Sequence, residues 1–251
     1  MDTALFIAPK TDRTSLLSAE DRGGVCVDPK RGRARLVVAD GAGTSHRSGL
    51  LAELIVASFF EEPIDAPPPV SAGDNASYYR WHRRISEQWT ELAQVETGTE
   101  WYQQQNLGRG SAAAFAAAIV EADRCWCLAV GDCCLFQVRP GANHACVASF
   151  PMSSWAAFNT TPELFQTDLD RPVIWPRWTH LDLEPGDVIV GASDGIAEWV
   201  LAAAVQNPEV WRLLVEMSAA DFQDVVAKER EAGTMVDDDT IVVRLVTGTG
   251  R

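Results

Sequence analysis

A chain of 251 residues, 47% hydrophobic and 22% charged, has ample apolar content for a large buried core. Its 21 lysines and arginines stand against 35 acids, a formal charge of −14 that argues against nucleic acid and anionic membrane as partners. No apolar run reaches the length of a membrane span, and Met1 to Lys10 lacks the basic start and longer apolar segment of an export signal, so a cytoplasmic protein is expected.

The first strand is expected at Leu5–Ala8, followed by a polar loop over 10–19. Two adjacent acids, Glu20 and Asp21, stand ahead of a short strand that ends at Val27. Leu36 to Ala39 is a short apolar run closed by Asp40-Gly41, which reads as a buried strand ending in a tight turn. Gly41 and Gly43 let backbone approach whatever Asp40 binds. Apolar residues at 50, 51, 54, 55, 56, 59 and 60 describe an amphipathic helix, which Glu61-Glu62-Pro63 ends. Residues 63–75 form a proline-rich loop. A second helix spans Ala76 to Val95, with Tyr78, Trp81, Ile85, Trp89 and Leu92 as a core-facing stripe.

Residues 111–122 are dominated by alanine, and intrinsic propensity alone favours a helix there. Arg124–Val130 and Cys134–Val138 read as strands joined by a tight hairpin at Gly131-Asp132. Residues 149–180 show little periodicity and read as an irregular region that shapes substrate access. Val188–Ala192 is a strand ended by Ser193-Asp194-Gly195. Helices follow at Ile196–Val205, Pro208–Met217 and Ala220–Glu231. Asp237-Asp238-Asp239 leads into a last strand, Ile241–Val246. The six cysteines contain no Cys-x-x-Cys pair and are read as reduced core residues.

The acids carry the chemistry. Strand–Asp-Gly occurs twice, at Asp40 and Asp194, and each is followed by a helix. Glu20-Asp21 and Asp237–Asp239 each open a strand. Convergence of these edges would build an oxygen-only cage suited to Mg²⁺ or Mn²⁺.

In this order the motifs resemble those of the metal-dependent protein phosphatases of type 2C, the PPM family, and in particular its compact bacterial members. Glu20-Asp21 is similar to the early acidic pair, and Asp40-Gly41-Ala42-Gly43 to the Asp-Gly-x-Gly motif. Gly110-Ser111 with its apolar run resembles the Gly-Ser/Thr-Ala strand, and Val130-Gly131-Asp132 the Val-Gly-Asp motif. Ser193-Asp194-Gly195 and Asp237–Thr240 resemble the last two motifs. The resemblance implies an α+β fold, a four-layer αββα sandwich of two antiparallel β-sheets flanked by helices, over 1–251 as one domain. It implies that 111–122 is a strand. It makes Asp40 a bridge between two metals, with Asp21, Asp194, Asp237 (Asp238 being the alternative) and the Gly41 carbonyl completing their coordination. Glu20 would hold a water at the metals, and Asp132 would join Asp194 in a weaker third site.

The activity so implied is hydrolysis of phosphoserine or phosphothreonine in proteins. Two cations a few Å apart can lower the pKa of a bridging water, which attacks phosphorus while the metals offset phosphoryl charge. The substrate so expected is a phosphorylated protein of a kinase-linked pathway, acted on by a monomer. Three positions depart from the family pattern. Arg13, the candidate phosphate-binding arginine, lies seven residues before Glu20. Ala42 stands where some members have His, leaving His46 as the candidate proton donor to the leaving group. Glu198 replaces an Asp four residues after Asp194. The departures motivate one alternative, a phosphatase-like binding module that recognises a phosphoprotein without efficient turnover.

Overall fold

The computed structural model describes residues 1–12, 19–61, 76–96, 105, 107–141, 144–158 and 161–248. The proline-rich loop expected at 63–75 lies outside them, as does Arg13.

The chain builds two antiparallel sheets. One is ordered β1 (Asp2–Ala8), β11 (Thr240–Val246), β10 (Val188–Ala192), β6 (Cys134–Arg139), β7 (Ala145–Phe150). The other is ordered β2 (Arg22–Asp28), β3 (Arg33–Gly41), β4 (Ala112–Glu121), β5 (Arg124–Val130), β9 (Arg177–Asp182), with a short β8 (Phe165–Gln166) also paired to β4. Leu36, Val38, Ala116, Ala118, Ile189, Ile241 and Val243 meet in the dry layer between the sheets. Helices α1 (Ser48–Glu61) and α2 (Ala76–Glu96) cover the outer face of the second sheet through Leu51, Ile55, Phe59, Trp81, Ile85 and Trp89. Helices α3 (Asp194–Ala204), α4 (Val210–Glu216) and α5 (Ala219–Glu231) cover the first through Ile196, Val200, Trp211, Leu214 and Phe222. The order is helix, sheet, sheet, helix, the αββα sandwich that the motif resemblance implies.

The alanine-rich segment is a strand, and its place explains why propensity loses. β4 lies between β3 and β5 and is buried on both faces. Ala114, Ala116 and Ala118 point into the inter-sheet layer, while Ala113, Phe115, Ala117 and Ile119 point toward α1 and α2. Two flanking ladders and burial on both sides outweigh a helix preference of a few tenths of a kcal/mol per residue.

Three expectations are corrected. Gly131-Asp132 is not a hairpin, because β5 and β6 belong to different sheets. The chain crosses there from one layer to the other. Gly131 has φ +91°, and a Cβ on it would lie 2.5 Å from the Ala114 side chain, so only glycine allows this crossing. The segment 149–180 is not irregular throughout, since it holds β8 and the first part of the edge strand β9. β9 is mostly half-exposed, so no alternation of apolar residues announced it. On α2, Tyr78, Trp81, Ile85 and Trp89 are buried as expected, but Leu92 is 46% exposed and Ala93 takes the core position.

Candidate metal centre

The acids gather at one end of the sandwich. In the β2–β3 ladder Arg22 pairs with Ala39, so the same register sets Asp21 opposite Asp40 one step further on. Asp40 also lies across from Ala114 of β4, whose small side chain leaves the space in front of the carboxylate open. Gly41 follows, packed so closely on the start of α1 that an added Cβ would lie 2.6 Å from the Ser48 backbone. From the other sheet, β10 ends at Ala192 and Ser193 caps α3, whose first residue is Asp194. The Ser193 hydroxyl accepts from the Ile241 amide at 3.0 Å, fixing the acidic triple beside the Asp194 turn. Asp132 arrives from the crossover after β5. Asp40, Gly41, Asp132, Asp194 and Asp238 line one cleft of about 430 Å³, with Ala42, Thr44, Thr161 and Leu164 on its walls.

The electrostatics are those of acids lacking a counter-charge. Asp21 is buried, neither of its carboxylate oxygens has a hydrogen-bond donor at ordinary geometry, and its pKa is pushed up to about 8 by burial, with Asp194 and Asp239 adding to the rise. Asp40 is raised well above the carboxylate range by burial and by the charges of Asp21 and Asp194. Asp132 is raised to about 7 by burial, Asp194 and Glu198. Burial also raises Asp194, and Asp238 and Glu198 repel its charge, although the Gly195 amide donates to it at 2.5 Å. Such carboxylates must keep protons or acquire a cation.

Among the described residues, no three His, Cys, Asp or Glu side chains form a finished metal cage. The donor set nevertheless fits a hard divalent cation. It is all oxygen, it is carboxylate-rich, and the buried Asp21 oxygens lack donors. Zinc ligation by cysteine finds no counterpart: Cys125 and Cys127 have their sulfurs 3.7 Å apart in the inter-sheet core, and all six cysteines are free thiols.

The other predicted residues are placed as follows. Glu20 is not among the residues that line the cleft: it accepts from the Ser48 hydroxyl at 2.7 Å, and its amide donates to Asp239 at 2.6 Å. Asp237 points away from the cleft. Its side chain is 46% exposed, accepts from the Thr11 amide at 3.1 Å and lies 3.6 Å from Arg230. Asp239 is buried as a clamp that accepts from the amides of Lys10 and Glu20. The cleft position of the triple therefore belongs to Asp238. His46 sits outside the acid cleft, in a neighbouring cavity and edge-on to Trp89 with 6.2 Å between ring centroids. Burial and Arg47 lower its pKa below 6.5. Glu198, noted in sequence only as a departure, adds a negative charge that raises the pKa of both Asp132 and Asp194.

Solved structures share this fold. The catalytic domain of the serine threonine protein phosphatase PstP, in complex with 2 manganese ions, is 17% identical over 98% of both chains, with a TM-score of 0.60. The Mycobacterium tuberculosis serine/threonine phosphatase PstP/Ppp is 16% identical over 98% of both, TM-score 0.61. PppA, a key regulatory component of T6SS in Pseudomonas aeruginosa, is 18% identical over 98% of this chain and 97% of its own, TM-score 0.59. None of the curated proteins matches the chain. The family model for protein phosphatase 2C matches residues 13–232, and the chain belongs to that family.

Proposed function

We propose that the chain is a serine/threonine phosphoprotein phosphatase that works with two Mn²⁺ or Mg²⁺ ions and a third in a weaker site. The observation that carries this reading is the Asp21, Asp40 and Asp194 cluster, three neighbouring acids drawn from both sheets, each with its pKa raised first by burial, with no cationic side chain among the described residues of the cleft. Family membership supports it, as does the manganese reported for a neighbour of the same fold.

Asp40, lying between Asp21 and Asp194, would bridge two ions, and Asp21, Asp194, Asp238 and the Gly41 carbonyl would complete them. Asp132 with Asp194 would hold the weaker ion. The bound cations would supply an activated water and offset charge on the phosphoryl oxygens. The chain's own part is to keep these carboxylates fixed at strand ends, so little reorganisation is needed when the charge of the substrate arrives. Glu20, held by Ser48, would keep its proposed role of holding a water at the metals. Arg13 keeps its proposed role of binding the phosphate. His46 is a poor proton donor at neutral pH, because burial holds it neutral and it lies in the adjoining cavity. Protonation of the leaving serine or threonine oxygen then falls to water in the open cleft.

Among the described residues no helix is long and apolar enough to cross a membrane. The setting that goes with this reading is a single domain over 1–251, a cytoplasmic monomer acting on the products of a protein kinase. The test is hydrolysis of para-nitrophenyl phosphate and a phosphothreonine peptide with Mn²⁺. Turnover that appears with Mn²⁺ and disappears on chelation is expected. No metal-dependent turnover, together with no metal-induced rise in melting temperature, would overturn the reading.

A further inference from the structure

Beside the acid cleft lies a second cavity of about 390 Å³ with the opposite charge. It is lined by Arg47, Arg109, Arg171 and His46, and no acid is among its described lining residues. The three arginines come from three separate segments: the turn before α1, the loop before β4, and the stretch after β8. In a chain of formal charge −14, a cavity with this lining is not expected from composition. Arg171 is exposed and shares Asp168 at 3.2 Å. Arg109 is exposed and makes no ion pair among the described residues. Two hydroxyls, those of Ser45 and Ser111, stand 3.4 Å apart at the same cavity, where Ser45 is held by donating to the Ala42 carbonyl at 2.9 Å and accepting from the Ala112 amide at 3.1 Å. Exposed guanidinium forks suit a phosphate or carboxylate, which they can hold through paired N–H donors.

One turn separates the two cavities. The Ser45 amide donates to the Ala42 carbonyl at 2.8 Å, Ala42 lines the acid cleft, Ser45 lines the basic cavity, and Thr44 lines both. A turn of this kind brings its end Cα atoms within about 7 Å. An extended peptide advances about 3.3 Å per residue. A peptide whose phosphorylated residue sits over Asp40 would therefore reach the basic cavity roughly two to four residues away.

We propose that this cavity is a second anion subsite for substrate, which takes a phosphate or an acidic side chain two to four residues from the phosphoserine or phosphothreonine being hydrolysed. The inference rests on the phosphatase reading above and specifies its substrate class: phosphoproteins that carry a second negative group near the target residue.

The experiment compares three phosphothreonine peptides of one sequence, which carry a neutral residue, a glutamate or a phosphoserine at the flanking positions. Para-nitrophenyl phosphate serves as the reference substrate, and wild type is compared with Arg109→Ala and with Arg109→Ala/Arg171→Ala. In wild type, kcat/KM for the anion-bearing peptides relative to the reference should exceed that of the neutral peptide about tenfold, the worth of one charge-assisted contact. The preference should weaken with salt, shrink in the single variant and vanish in the double variant. Preference for phosphoserine over glutamate assigns the subsite to phosphate, and equal preference assigns it to anions generally. Equal kcat/KM for all three peptides, or a preference that survives in the double variant, overturns the proposal. If the reference substrate is not turned over with Mn²⁺, the phosphatase reading fails separately. Calorimetric binding of the same peptides then decides the subsite by the same criterion.

Discussion

Asp21 and Asp187 are both 1% exposed, yet they stand in opposite electrostatic states. Asp187 accepts from Arg139 Nε at 2.9 Å and Nη2 at 3.0 Å, from Gln137 at 2.6 Å and from the Glu184 amide at 2.8 Å. Burial alone would push its pKa up, but these donors outweigh burial and hold it below the usual range. Asp21 has no cationic partner, burial with the charges of Asp194 and Asp239 outweighs the lowering effect of Ser193 and Asp40 beside it, and its carboxyl rises to about 8. Burial by itself thus marks neither a site nor a structural bridge. The missing counter-charge does, because an unpaired buried carboxylate needs a proton or a cation that the fold does not provide.

The largest break in this comparison should come from Asp40→Asn. Removing the central charge of the cluster should lower metal-dependent kcat/KM by about a thousandfold or more, roughly 4 kcal/mol of transition-state stabilisation. The metal-free variant should be no less stable than wild type, since a buried acid that must keep a proton is replaced by a neutral amide of the same shape. A clear drop in its melting temperature would show that Asp40 is held by structural partners, as Asp187 is.

Asp187→Ala should behave in the reverse way. It removes the shared acceptor of Arg139, Gln137 and the Glu184 amide, although Arg139 keeps Glu184 and Gln137 keeps the Asp182 carbonyl, and a clear loss of stability by denaturant titration is expected. The melting-temperature response to Mn²⁺ should persist. If that response disappears with Asp187, the two regions are coupled and the contrast fails.

A smaller effect separates the two aspartates by pH. Asp21 titrates at about 8 in the folded chain against a reference of 3.8, so between those values the folded state keeps a proton that the unfolded state has lost. This contribution to stability is fully present below the reference value and is lost as pH rises through about 8. The metal-free protein should therefore melt a few degrees lower at about pH 8 than at about pH 5, in calorimetric scans at constant ionic strength. Mn²⁺ at about a hundredfold over its Kd should raise the melting temperature at the higher pH by about 5–10 °C. A metal-free protein that gains stability over that interval would contradict the assignment.

The smallest effect sharpens the boundary of the site within one tripeptide. Asp238→Asn should reduce activity by about tenfold or more, because Asp238 faces the cleft and the charge of Asp194. Asp237→Asn should change it by less than about threefold, since Asp237 is engaged with Thr11 and Arg230 on the outside. Paired kinetics on the two variants check this, and the reverse ranking would return the cleft position to Asp237.

Much of this was legible in the chain. Hydrophobic period marks β3, β10, β11 and the helices to within a few residues, because each buries one continuous stripe or is buried throughout. Asp40 and Asp194 stand out as acids that terminate apolar runs, and the structure brings both into one cleft with Asp132. β8 and β9 gave no signal, since a two-residue pair and a half-exposed edge strand carry little apolar pattern. The alanine segment gave a misleading signal of its own, and only its motif context implied a strand.

The sequence by itself determined which residues can do chemistry here, an ordered set of acids at strand ends in a phosphatase 2C chain. Periodicity and turn chemistry are local, so they are readable along one dimension. Tertiary structure alone decided that β5 and β6 part into different sheets at Gly131, and that Asp238 rather than Asp237 turns inward. It alone placed the cavity formed by Arg47, Arg109 and Arg171 one turn away from the acids. These outcomes depend on contacts between segments far apart in the chain, which no local pattern of residues encodes.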